Sequence, residues 1–89
     1  MTEYSTLNVI KRGELASVIR INADKKTKQR LEDLGIVHDT KILCVMKSPL
    51  GDPIAYLFRG ALIALRSEDS KKILVKFCTN GENEYGTDT

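Results

Sequence analysis

The stretch KSPLGDPIAYLFRGALIALR, Lys47 to Arg66, decides the fold. It holds two apolar segments of strand length, Ile54 to Arg59 and Ala61 to Arg66, separated by Gly60. A third such segment, Lys41 to Lys47, precedes Pro49. Short apolar runs joined by turn residues read as a β-meander. Pro49 fixes φ and cannot donate to a ladder, Gly51 admits positive φ, and Pro53 restricts Asp52 to extended geometry. Ser48 to Pro53 is therefore expected to hold one shape although exposed, and rigid exposed loops are frequent places for recognition.

Working outward, the chain of 89 residues has room for one domain with a modest core and little for a deep catalytic cleft, so an enzyme is not expected. No apolar run approaches the roughly 20 residues that span a bilayer. Met1 to Thr6 lacks the basic region and apolar segment of a secretory signal, which points to a cytoplasmic protein. Cys44 and Cys78 are the only cysteines and form no close-set pair, so two reduced thiols are expected rather than a disulfide or a zinc site. All fourteen basic residues and nine of the twelve acidic ones lie in residues 1–77, which gives that part +5. Such a body suits an acidic protein face, nucleic acid or an anionic membrane surface, and is also ordinary solubility charge. Residues 78–89 contain Glu82, Glu84 and Asp88, two glycines and no aliphatic side chain, and read as a flexible acidic tail.

Before the meander, Leu7, Val9 and Ile10 lead into a turn that ends at Gly13. Ala16 to Ile21 follows as a first strand, with Ser17, Ile19 and Ile21 on one face and Ala16, Val18 and Arg20 on the other. Asp24 is placed to cap a helix from Lys25 to Leu34, with Thr27, Leu31 and Leu34 as its apolar stripe and Gly35 at the position that favours positive φ. At under three turns, this helix needs Leu31 and Leu34 to pack against a sheet. In the next strand Ile42, Cys44 and Met46 oppose Leu43 and Val45, and in the one after it Ile54, Tyr56 and Phe58 oppose Ala55 and Leu57. Strands apolar on both sides suggest a tightly curled barrel whose outer face is covered by the helix, by the N-terminal segment or by a second copy of the chain. A helical turn capped by Ser67 then precedes a closing strand in which Ile73, Val75 and Phe77 face inward.

Catalytic constellations are missing from the sequence. There is no phosphate-binding glycine loop, Asp52 has no partner acid near it in sequence, and His38 has only Asp39 beside it. A metal site would have to gather His38, Cys44, Cys78, Glu82 or Glu84 from separate places. The helix runs against its own dipole, with Lys25, Lys26 and Lys28 at the positive end and Glu32 and Asp33 at the negative end. A cationic patch of Arg20, Lys25, Lys26, Lys28 and Arg30 results, read either as a solvated face or as a functional surface.

Leu7, Gly13, the run RLEDLGI at Arg30 to Ile36, Thr40, PLGDPI at Pro49 to Ile54, Tyr56, Gly60 and the run Ala64 to Arg66 together resemble the FeoA family, small cytoplasmic ferrous iron transport proteins. The likeness covers about residues 5–77, leaving 78–89 as a separate tail. It implies a mainly β fold, a small SH3-like barrel of about five strands, with a short helix after the first strand and a helical turn before the last. His38 and Asp39 stand where the family usually has a Pro-Gly turn, and Ser70 where it tends to have alanine. The same barrel occurs in iron-dependent repressors of the diphtheria toxin repressor type, but this chain has no DNA-binding helix-turn-helix.

The resemblance further implies a non-enzymatic accessory role in ferrous iron uptake. The expected partner is a FeoB-type GTP-dependent membrane iron transporter, with its cytoplasmic GTP-binding domain as one candidate contact. The protein would then be recruited to the inner face of the membrane through that transporter. Pro49, Leu50, Gly51 and Asp52 of the rigid loop, with Lys25, Lys26 and Lys28 of the helix, are the candidate partner-binding residues. Gly13, Leu31, Leu34, Gly35, Pro53 and Gly60 are the candidate structural ones. No cofactor is required, and weak binding of a transition metal, Fe2+ or Zn2+, is the alternative reading. A nucleic-acid-binding barrel is not expected, because the few aromatics fall in core strands rather than on a basic stacking platform.

Overall fold

A computed structural model describes residues 4–78; the acidic tail from Thr79 onward lies outside the described residues. The elements in order are β1 (Tyr4–Thr6), a 3-10 turn (Leu7–Val9), β2 (Leu15–Ile21), α1 (Lys25–Asp33), β3 (Lys41–Lys47), β4 (Ile54–Phe58), β5 (Ala61–Leu65), α2 (Ser67–Ser70) and β6 (Ile73–Phe77). The strands form one antiparallel sheet in the order β1-β6-β2-β3-β4-β5. It has six strands where about five were expected, because the three residues ahead of Leu7 pair with β6.

Two bulges curl the sheet and change which side chains face the core. In β2, Val18 pairs with Val75 and Arg20 with Leu74, so Ile19 is an extra residue and the inward row becomes Ala16, Val18 and Ile21. Strict alternation, which put Ile21 with Ser17 and Ile19, fails at this bulge. In β3 the extra residue is Val45, and Met46 turns outward opposite Ala55 instead of following Ile42 and Cys44 into the core. Ile54, Tyr56 and Phe58 of β4 and Ile73 and Val75 of β6 are buried, with Phe77 packed against the same core. The outer side of β3, β4 and β5 is not covered among the described residues: Met46 is 54% and Leu62 65% exposed. Within a single copy these strands are therefore not buried on both faces.

α1 is anchored by Leu31, which is fully buried. Leu34, read as part of the same stripe, is the C-cap and 41% exposed, because the chain leaves the helix there. Gly35 N–H donates to the Glu32 carbonyl at 2.9 Å and Ile36 N–H to the Leu31 carbonyl at 3.2 Å, a Schellman closure with Leu31 and Ile36 both in the core. Gly35 has φ of +104°, and a Cβ there would sit 3.5 Å from Arg59 Cδ, so the Arg59 stem lies across the helix end. Asp24 is the N-cap, its carbonyl accepting the Lys28 N–H at 2.9 Å, and it makes no side-chain cap bond. Arg59 and Gly60 both take positive φ, forming the two-residue loop that fits the twist of the β4-β5 hairpin.

Closure of the curled sheet falls to groups outside the ladders. The Tyr56 hydroxyl is buried, 3.4 Å from the Leu7 carbonyl and 3.2 Å from Ser70 Oγ, while Ser70 Oγ donates to the Arg66 carbonyl at 3.3 Å. The 3-10 turn, β4 and α2 therefore meet at one polar point inside an apolar core. The N-cap of α2 is Arg66 rather than Ser67; Ser67 is the first helical residue, and its N–H donates to Asp52 Oδ1 at 2.9 Å. Asp52, fourteen positions before Arg66 in the chain, thus satisfies a donor that the short helix leaves free.

Burial of the Tyr56 hydroxyl pushes its pKa from 10.0 up to about 12. The folded state then holds its proton more tightly than the unfolded chain, so its stabilising contribution is full below about pH 10 and is lost as pH rises toward 12. Denaturant titrations from pH 9 to 12 should show this loss, and the Tyr56→Phe variant should lose stability less steeply over the same window. Parallel slopes would remove the assignment. Asp52→Ala should cost about 1 kcal/mol of unfolding free energy, and Asp52→Asn, which keeps an acceptor, less than that. Equal costs for the two would show that the bond to Ser67 contributes nothing.

Candidate partner-binding surface

The loop between β3 and β4 is closed on itself by three hydrogen bonds. Ser48 N–H and Ser48 Oγ both donate to the Pro53 carbonyl, at 3.1 and 2.9 Å, and Gly51 N–H donates to the Ser48 carbonyl at 2.6 Å. Gly51 has φ of +86°, which an L side chain adopts only with strain, so the tight turn depends on glycine. At its tip Leu50 is 95% exposed. Asp52 ties the base of the loop to α2.

α1 reaches α2 from another direction. Arg30 Nη1 and Nη2 lie 3.4 and 3.3 Å from the two Asp69 carboxylate oxygens, an exposed bidentate pair of small energetic weight that fixes direction more than stability. Arg30 is the one basic residue in the last turn of α1, and the Arg59 stem also lies at that end, so part of the dipole conflict of Glu32 and Asp33 is relieved there. At the other end Lys25, Lys26 and Lys28 are exposed, with no acidic residue in the first turn. Asp52 thus joins the loop to α2, and Arg30 joins α1 to the same helix, but no bond links Leu50 to the lysines among the described residues. Of the remaining candidates, Gly13 sits in the exposed turn before β2 with φ of +87°, and Pro53 closes the loop through its carbonyl.

Of the potential metal ligands, Glu82 and Glu84 lie outside the described residues, and the others form no cluster. Cys44 is buried, which pushes its thiol pKa up and away from the thiolate that binds metals. Cys78 Sγ lies 3.8 Å from Ser17 Oγ. His38 Nδ1 is 3.0 Å from the Ile19 carbonyl, a bond that needs the proton on Nδ1, and Nε2 is 3.5 Å from Asp39 on the exposed turn. No group of three His, Cys, Asp or Glu side chains comes together among the described residues. Two features escaped sequence reasoning. The long-range cap from Asp52 has no local signal, while the exposed row on β3, β4 and β5 was hidden by the bulge at Val45.

Residues 5–77 match the FeoA domain family. A curated Fe(2+) transport protein A/Fe(2+) transporter FeoB fusion protein of Porphyromonas gingivalis is 30% identical over 74 residues, 83% of this chain. That match spans only 9% of the fusion protein's length. The solution structure of a FeoA-like protein from Clostridium acetobutylicum superposes with a TM-score of 0.82 at 36% identity, covering 90% of this chain and 93% of the other. The zinc complex of FeoA from Stenotrophomonas maltophilia, described as a prokaryotic SH3 domain protein, gives a TM-score of 0.70 at 27% identity, covering 79% of this chain and 87% of the other. The curled six-stranded sheet with its two short helices is therefore the SH3-like barrel expected from the sequence. With the family model matched along nearly the whole described chain, this protein belongs to the FeoA family, a group of small accessory domains linked to ferrous iron transport.

Proposed function

We propose that the chain is a non-enzymatic accessory protein of ferrous iron uptake that acts by contact with a FeoB-type membrane transporter. The observation that carries this is the relative in which a FeoA domain and FeoB share one polypeptide, since fusion brings two contacting modules to high effective concentration. No helix among the described residues is long and apolar enough to cross a membrane, so contact with a transporter would be made from outside the bilayer by the folded body. The contact surface is the loop Pro49, Leu50, Gly51 and Asp52, together with Lys25, Lys26 and Lys28 of α1. An apolar tip on a loop already held by three internal hydrogen bonds loses little entropy on docking. The lysines would speed encounter with an acidic face and make the on-rate salt-dependent. The transporter's cytoplasmic GTP-binding domain is the candidate contact, which would hold the protein at the inner face of the membrane.

Leu50→Ala should weaken docking about fivefold, and Lys25→Glu with Lys28→Glu should reduce its on-rate and salt dependence, both without loss of fold. Iron uptake in cells carrying the transporter reads both effects. Folded variants that support uptake at the normal rate would move the functional surface elsewhere. Metal binding is tested separately by calorimetric titration of the untagged protein with Fe2+ or Zn2+. The outcome expected from the separated ligands is weak binding of the kind scattered surface groups give. Stoichiometric binding, micromolar or tighter, that is lost in Cys44→Ser, Cys78→Ser or His38→Ala would establish a metal-binding module instead.

A further inference from the structure

The outward face beside β5 and the edge of that strand take no part in the surface described above. β5 pairs with β4 through all five of its residues and, among the described residues, has no neighbour on its other side. No backbone group of residues 61–65 bonds outside that ladder among the described residues, so one row of N–H and C=O groups is open. Edge strands are commonly blunted by shortness, charge, proline or a bulge. The opposite edge, β1, is three residues long. β5 is ALIAL, without charge or proline, and its register with β4 is unbroken.

An apolar face continues from this edge. Leu43, Leu57 and Leu62 form one cross-strand row, and Met46, Ala55 and Ala64 the next. Segment 41–66 carries four cations, Lys41, Lys47, Arg59 and Arg66, against a single acid, Asp52, which is engaged at Ser67. Arg59 and Arg66 are exposed and immediately bracket the hairpin strand.

We propose that β5 accepts an added strand from a partner protein, an extended segment with apolar residues at alternate positions and acidic residues at its flanks. Its backbone would satisfy the open row of β5, its apolar side chains would extend the rows ending at Leu62 and Ala64, and its acids would meet Arg59 and Arg66. A second copy of this chain fits less well. Antiparallel pairing of two β5 strands about Ile63 sets Arg66 of each copy near Arg59 of the other, like charges at both ends. A lipid surface fits less well again, because hydrocarbon offers nothing to the open backbone groups. The inference goes beyond the loop and lysine surface and does not depend on the identity of the transporter.

The test is an amide NMR titration of the full chain with a synthetic peptide of alternating valine and threonine flanked by glutamates, beside the same peptide flanked by lysines. The expected result is shift changes and slowed amide exchange centred on residues 61–65. The lysine-flanked peptide should bind at least about tenfold more weakly. Leu62→Lys, a substitution at an exposed site, should weaken binding, and Arg66→Glu should erode the preference for glutamates. Equal binding of the two peptides, perturbation centred away from β5, or silence at millimolar peptide would overturn the proposal. So would protection of β5 amides by dimerisation without peptide, or by phosphatidylserine vesicles.

Discussion

The hydroxyl of Tyr56 ties β4 to two parts of the chain that the sheet leaves unpaired, the 3-10 turn and α2. With β1 and β5 as its two edges, the curled sheet completes no ring of backbone ladders among the described residues, and the 3-10 turn after β1 and α2 after β5 meet between those edges. Apolar packing alone would fill that gap with little directional preference. A phenol that must find partners inside an apolar core does have one, because a buried polar group left without a hydrogen bond costs about 1 to 3 kcal/mol. The Leu7 carbonyl and Ser70 Oγ lie on opposite sides of the gap, so satisfying Tyr56 fixes the position of both. Ser70 is fully buried and passes the bond on to the Arg66 carbonyl.

Positioning of α2 carries over to the surface. One turn of helix has no stability of its own and takes its place from what holds its ends. Its first N–H is held by Asp52 of the rigid loop, and its Asp69 is held by Arg30 of α1. Two segments distant in sequence are thereby referred to one short helix, and the Leu50 tip and the basic helix have fixed places relative to the same core. The Asp52 carboxylate is best understood as a support of the loop, while Leu50, which touches little of the chain, is what the loop presents.

Most of the architecture was legible because the signals were local. Gly35 after the stripe of α1, the Pro49 to Pro53 loop, and the alternation of Ile54, Tyr56 and Phe58 each depend on a few adjacent residues. Reading stopped where an effect came from a distant strand. Ile19 and Val45 are unremarkable β-branched residues in the sequence, and only pairing with β6 and β4 makes them bulges. After each bulge the inside and outside rows exchange, which is why Ile21 enters the core with Val18 and why Met46 leaves it. Ser67 was mistaken for a cap for a similar reason: the donor to be satisfied was its own N–H, and the acceptor came from another loop. For the candidate surface, the residue types could be read from the chain, whereas the support that Asp52 and Arg30 give through α2 could not.

The exposed face on β3, β4 and β5 follows from the same bulge that makes the barrel. Without the extra residue at Val45, Met46 would stay on the inward row and β3 would run flatter. With it, the sheet curls and an apolar side chain is moved to the outside. Isolated exposed aliphatics are common and need no cause. Here the register sets Met46 beside Ala55 and Ala64, and Leu57 beside Leu62, so the exposed groups are neighbours and end at a strand edge that carries no charge. Folding alone gains little from leucine at position 62, which is 65% exposed. A charged residue there would protect the edge at little cost to the core, and under the strand-addition proposal leucine instead serves to pack against the incoming chain.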